Sequence, residues 1–366
     1  MTVRDPRSPS AGGAEPAPGL RHRLVSGGSS GLLVVVYSQV RVPDGKFGLE
    51  RMFSATRHAC LFLNDTRNGW YLGQEAAIDA AIAAAIDVVR PMRILHYGAS
   101  MGGYAALVTG LRRGDGAIHA FGPELELGRP GSQSALYGLP HPGTPAGALA
   151  LDPALDGLRR ELAHAVHLYF GHLDPVDSAG VARVLAQGLG GRLFDLASCH
   201  ASHDHLYTLN VIRKITRTFD RDPEDELAAR GLIRPLPRAF HAGFAAAGEA
   251  FAAGERLTPG QLDALAALAP GHVGLLRLRA EAAAGTGDLA LAVDLMQAAE
   301  AAIDQDPALH GLPKRWRKDL PLARAGWMLA LGRTEAALAL LADCRETFGP
   351  DERIDALRAA AETGRG

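Results

Sequence analysis

Cysteine is scarce in this chain, with three in 366 residues. Cys60, Cys199 and Cys344 are scattered without paired or metal-ligand spacing. That excludes a disulfide framework and fits a reduced, cytoplasmic setting. Long apolar runs are missing too: nothing approaches the ~18 consecutive apolar residues of a membrane span, and the N-terminus lacks the apolar core of a signal peptide. Charge of one sign is not in excess either. Lys and Arg total 38 against 40 Asp and Glu, a formal net charge of −2, so bulk electrostatics gives no case for nucleic acid or an anionic membrane as partner.

What is present centres on Arg93-Ile-Leu-His-Tyr-Gly98-Ala-Ser100-Met-Gly102-Gly103-Tyr104-Ala-Ala-Leu107. Ile94 to Tyr97 reads as a buried strand and Tyr104 to Leu111 as a helix, with a G-x-S-x-G turn between them. That strand–turn–helix setting is what a nucleophile elbow requires. Its serine stands clear of the backbone, the glycines let strand and helix approach, and the helix N-terminus faces the place where an oxyanion would form.

The length suggests two domains. Residues 1–19, rich in Pro, Gly, Ser and Ala, read as a disordered tail; 20–222 read as an α/β domain and 223–366 as an α-helical one. Gly31 to Tyr37 is the first expected strand, continuous and β-branched, followed by Ser38-Gln39-Val40 and a polar loop through Gly48. Cys60 to Leu63 reads as a second strand. The turn-rich stretch after it carries Trp70 and Tyr71, read as capping a core edge. Glu75 to Val89 has helical spacing. Gly116 to Phe121 and Ala165 to Phe170 read as further strands. The irregular segment 123–163 between them is an expected lid or pocket rim. His119 and His141 belong to no constellation.

Gly171-His-Leu-Asp174-Pro-Val-Asp177 follows a strand and precedes an expected helix from Ser178 to Leu189. Asp174 is the preferred acid, with Asp177 the alternate because it sits where the helix cap belongs. After the last strand, Arg192 to Ala197, comes Ser198-Cys199-His200-Ala-Ser-His203-Asp204-His205. His203, before an expected helix from Leu206 to Ile215, is the first choice as base; His205 is second and His200 third. H-x-x-H-x-H is not a standard metal spacing and acid partners are missing, so no metal site is expected.

These residues resemble the α/β-hydrolase fold family over about Gly31 to Phe219, most specifically in Gly98 to Leu107. More narrowly, Val36-Tyr-Ser, Asn68-Gly-Trp-Tyr, the elbow and Ala120-Phe-Gly-Pro123 look like a bacterial subgroup met near polysaccharide or glycoconjugate assembly. The resemblance implies a mostly parallel sheet flanked by helices, with Ser100 as nucleophile, Asp174 as orienting acid and His203 as base. It places the Met101 N–H in the oxyanion hole, with Gln39 or Val40 as second donor after the first strand. No H-G-G-G stretch stands at that second position.

Beyond Asp220 the composition turns to Ala, Leu, Arg and Glu. Gly285-Thr-Gly287-Asp288 and Leu331-Gly332-Arg-Thr-Glu335 each separate two helical stretches, with Ala292 and Ala337 five residues past Gly287 and Gly332. This resembles tetratricopeptide helical hairpins, although the turns lie 45 residues apart (332 − 287) where that repeat has ~34. A rigid appendage and a partner-binding solenoid both fit. The basic run Lys314 to Lys318 reads as a solvated helix face with Trp316 turned inward.

The expected activity is cleavage of an acyl ester or thioester through a Ser-His-Asp triad, without a cofactor. The alternatives are transfer of the acyl group to a glycan or related acceptor, and an inactive scaffold that binds a protein partner through its helices.

Overall fold

The computed structural model describes residues 19–141, 150–151, 165–187 and 192–363. Seven strands form one sheet: β1 (Leu20–Val25), β2 (Leu32–Tyr37), β3 (Ala59–Asp65), β4 (Arg93–Ala99), β5 (Ala117–Phe121), β6 (Val166–Gly171) and β7 (Leu193–Leu196). Their order is β1-β3-β2-β4-β5-β6-β7, antiparallel between β1 and β3 and parallel elsewhere. Every residue of β2 is buried, as a strand covered on both faces requires. β1 was not expected from the sequence. As an edge strand it buries little beyond Leu20, and Arg21-His22-Arg23 breaks the apolar signal.

Helices cover both faces. Before β6 come α1 (Glu50–Phe53), α2 (Glu75–Val89), α3 (Met101–Arg113) and α4 (Gln133–Leu136). Then come α5 (Pro175–Ala186), α6 (Ser202–Thr208), α7 (Val211–Thr216) and α8 (Pro223–Ala228). One core joins the odd-numbered side chains of β2 to α2, α3 and α5. The other joins its even-numbered ones to α1, α6, α7 and α8. The helix expected over Leu206 to Ile215 is broken at Asn210, whose φ of 60° is left-handed, and its first half starts earlier, at Ser202.

The remaining elements are helical: α9 (Arg238–Ala252), α10 (Pro259–Leu268), α11 (Val273–Gly285), α12 (Leu289–Gln305), α13 (Lys314–Ala330), α14 (Thr334–Phe348) and α15 (Glu352–Thr363). From α11 to α15 each packs on the next. Gly287 and Gly332, at the two expected turns, have φ of 88° and 73°. Trp316 packs inward as expected, while Lys318 pairs with Asp351. The expected tail lies outside the described residues except for Gly19, and so do residues 142–149 and 152–163 of the expected rim.

The two halves share a core. Leu173, Ala197 and Cys199 from the sheet side pack with Val273, Met296 and Leu309. Polar bonds reinforce the seam. Buried Asp195 of β7 accepts from His241 of α9 (2.9 Å) and from the Leu236 N–H (2.9 Å), and its other oxygen lies 3.1 Å from His172 Nδ1.

Candidate active site

Ser100 sits between β4 and α3 with φ 53° and ψ −121°, a conformation forced on a non-glycine residue by the turn. The Ser100 N–H donates to Phe121 O at 2.8 Å, and Tyr104 N–H returns to Ser100 O at 3.0 Å, which locks the turn from both sides. The two glycines of the motif have a steric cause. A Cβ on Gly98 would lie 2.0 Å from Gly102 O, and one on Gly102 would lie 2.2 Å from Tyr37 O. Only bare backbone lets β2, β4 and the start of α3 meet here. The helix begins three residues before the apolar pattern suggested, so Met101 and Gly102 belong to its first turn, where N–H groups have no intrahelical acceptor.

A hydrogen-bonded relay leads away from the serine. His200 Nε2 lies 3.0 Å from Ser100 Oγ, and His200 Nδ1 lies 2.8 Å from Asp177 Oδ1. The Asp177 side chain is 2 % exposed, and its second oxygen accepts the Gly171 N–H at 2.7 Å, so the carboxylate is fixed at both oxygens. Burial resists a charge on His200. The Asp177 carboxylate against its ring outweighs that, with Asp174 and Glu124 adding to it, and holds the imidazole above its ordinary value. Burial pushes the Asp177 carboxyl up, against the pull of His200.

Two of the residues preferred from sequence stand elsewhere. Asp174 is the N-cap of α5, its Oδ1 accepting the N–H groups of Val176 (2.9 Å) and Asp177 (3.2 Å). The expected placements of the two acids are exchanged, Asp174 at the cap and Asp177 against the imidazole, because α5 starts at Pro175 rather than Ser178. The legible signal was Asp-Pro, a cap followed by the proline favoured at the first helical position. His203 turns into the core instead of reaching the serine. Its Nε2 is 2.9 Å from the Tyr97 hydroxyl, and its ring meets Tyr97 and Phe121 edge-on. His205 is buried between Ser198 Oγ (3.0 Å) and Ala308 O (2.9 Å). Both belong to α6, whereas His200 precedes it in the loop that faces the elbow. Burial pushes the thiol of neighbouring Cys199 far up.

The loop after β2 flanks the serine. In the parallel register the last pair is Tyr37 with Gly98, and Gln39 and Ser100 each stand two residues beyond it in their own chains. Val40 packs on the core beneath. Among the described residues Asp174, Asp177 and His200 also place ligand-capable atoms within 4.8 Å of one another. The cap bonds engage Asp174 Oδ1, and the relay engages His200 Nδ1 and Asp177 Oδ1.

A cavity of about 540 Å³ opens beside His200. The sheet side contributes Asp174, Val176 and Asp204, and the helical half contributes Arg277, Glu281 and Trp316. From the described part of the expected rim, Arg129 to Gly131 and Gln133 close one edge.

No family model matches the chain, and no curated protein sequence matches it. Among solved structures the chain is similar to the capsule O-acetyltransferase of Neisseria meningitidis serogroup A. The identity is 16% and the TM-score 0.40, covering 54% of this chain and 92% of that one. A mutant of the same enzyme in complex with CoA gives 16% identity and a TM-score of 0.39 over the same shares. A glycosylation-associate protein complex from Streptococcus agalactiae gives 19% identity and 0.36, covering 52% of this chain and 43% of that one. No described helix is long and apolar enough to cross a membrane.

Proposed function

We propose that this protein transfers an acyl group through a covalent acyl-serine at Ser100, delivering it to a hydroxyl acceptor bound beside His200. The observation that carries the reading is the Ser100–His200–Asp177 relay, with contacts of 3.0 and 2.8 Å. His200 Nε2 takes the hydroxyl proton as Ser100 Oγ attacks the carbonyl carbon of an ester or thioester. Asp177 holds Nδ1–H and stabilises the imidazolium that forms. The N–H groups of Met101 and Gln39 receive the oxyanion. Collapse expels the alcohol or thiol, which takes the proton back from His200. An acceptor hydroxyl, deprotonated in turn by His200, then attacks the acyl-serine carbonyl; the acyl–Oγ bond breaks, the new ester leaves, and Ser100 Oγ takes the proton back from His200.

The same relay serves water equally well, which would make the protein a hydrolase. The cavity favours transfer, because water needs only ~30 Å³ and a pocket of 300–1,000 Å³ is the size that takes an organic molecule. An acceptor of glycan type or a lipid-linked precursor suits a site whose walls mix carboxylates, arginines and an aromatic ring. The intact relay favours an enzyme over an inactive scaffold. On this reading the helical half is a wall of the acceptor site, which gives it a role without a protein partner.

The test is labelling by a fluorophosphonate together with the intact mass of the enzyme after exposure to 4-nitrophenyl acetate. Wild type is expected to label and to carry one acetyl group, and Ser100→Ala and His200→Ala to do neither. Added alcohols such as glycerol or a methyl glycoside should speed release of the acetyl group and appear as acetylated products. Folded wild type that never labels would sink the reading, and release indifferent to every alcohol would convert it to a hydrolase.

A further inference from the structure

The stretch Asn64 to Gly73 carries more backbone strain than a simple connector needs. Asn68, Trp70 and Tyr71 have φ of 54°, 56° and 58°, and the two aromatics are consecutive, buried and left-handed. Side chains adopt that region at a cost, and a run of such residues persists only where the surroundings overdetermine it. Asp65, fully buried, supplies that determination. Its carboxylate accepts the N–H groups of Arg67 (3.1 Å), Gly69 (2.8 Å) and Tyr71 (3.0 Å).

The product of this arrangement is the position of one hydroxyl. Tyr71 OH lies 3.0 Å from Ser38 O and 3.1 Å from Leu63 O. A phenol has a single proton to give. Leu63 O already accepts the Ser38 N–H at 2.9 Å, so Ser38 O is the acceptor in need. Burial, with the Asp65 charge adding to it, pushes the Tyr71 phenol well above its ordinary range, so it remains a donor.

Ser38 O is one end of the peptide whose other end is the Gln39 N–H, and in a planar trans peptide the two point in opposite directions. Both the N–H and the C=O of Ser38 are engaged on the β3 side. The Gln39 N–H therefore faces the β4 side, where Ser100 follows directly on the strand. Gly102 packs directly on this segment: a Cβ there would lie 3.1 Å from Ser38 C. Among the described residues no protein acceptor takes the Gln39 N–H.

We propose that the Tyr71 hydroxyl is the positioning group of the oxyanion site: by holding Ser38 O it aims the Gln39 N–H at the oxygen that becomes negative during attack by Ser100. This rests on the acyl-serine reading. Tyr71 touches no substrate. It replaces what a glycine-rich loop does elsewhere by direct backbone placement, using a side-chain strut anchored in a strained turn.

The experiment compares wild type, Tyr71→Phe and Tyr37→Phe as full-length proteins. Tyr37→Phe is the control for loss of a buried hydroxyl, because its OH bonds His96 Nδ1 at 3.0 Å rather than Ser38 O. The readouts are the second-order rate of fluorophosphonate labelling, kcat and KM for 4-nitrophenyl acetate, and Tm. Loss of an oxyanion donor costs ~10²–10³ in rate, so a donor that is loosened rather than removed should cost about tenfold. Tyr71→Phe is expected to lose about that factor in labelling and in kcat, with KM little changed. Tyr37→Phe should lose stability and keep both rates. Equal rates in wild type and Tyr71→Phe would overturn the strut while leaving the acyl-serine reading intact. Matching rate losses in the two variants would also overturn it, by making the effect general loosening. Wild type that neither labels nor turns over would overturn both.

Discussion

Asp174 caps α5 and Asp177 lies in its first turn, and only Asp177 reaches the His200 imidazole, at 2.8 Å, while Asp174 spends its carboxylate on the helix N-terminus. The division predicts opposite phenotypes. Asp177→Asn keeps the shape but leaves Nδ1–H without its anionic acceptor, and should lower kcat on the order of 10³–10⁴-fold. Asp174→Ala removes a cap and should cost ~1 kcal/mol of stability with far less effect on rate. Urea unfolding beside ester turnover separates them; the reverse pattern would restore Asp174 as the acid.

The charge state of His200 sets the pH dependence. The base must be neutral to accept the Ser100 proton, and its carboxylate surroundings hold it protonated beyond the ordinary imidazole value of 6.5. Activity therefore rises with pH, and the acid limb of kcat/KM should lie above 6.5. Asp177→Asn should move the residual activity's limb to lower pH, since the largest opposing charge is gone. A limb at or below 6.5 in wild type would contradict the geometry described for the ring.

His203→Ala and His205→Gln should both keep Ser100 reactive towards the fluorophosphonate, because neither side chain faces it. Their cost is stability. For His205 the sign follows from its burial, which pushes the imidazole down to about 4. The unfolded chain takes up a proton near 6.5 while the folded state resists, so this residue destabilises progressively as pH falls. Between pH 7 and pH 5 it should account for about 2 kcal/mol, read as a shallower decline of urea-unfolding free energy in His205→Gln.

The sheet and the elbow were legible because each wrote itself into local pattern: β2 as a continuous β-branched run, α2 as a helical period, Ser100 between glycines that no side chain can replace. The partners of Ser100 were less so. Choosing among His200, His203 and His205 required the start of α6, since a helix turns two of the three into the core. Choosing between the acids required the start of α5. Both turned on two or three residues at a helix end, where apolar periodicity is weakest and capping chemistry decides. The role of Tyr71 was not legible at all, because it acts on Ser38, 33 positions away in the chain.

The bonds that Asp195 receives from Leu236 and His241 bear on how the molecule comes apart. A chain ended after residue 222 would keep the relay residues in sequence but strip β7 of those donors and uncover the apolar surface that Leu173, Ala197 and Cys199 share with α11 and α12. A buried carboxylate deprived of its donors is costly, and the shared core has no second way to close. The two halves are therefore expected to melt together, and a compound lodged in the crevice between them should raise the melting point of both at once.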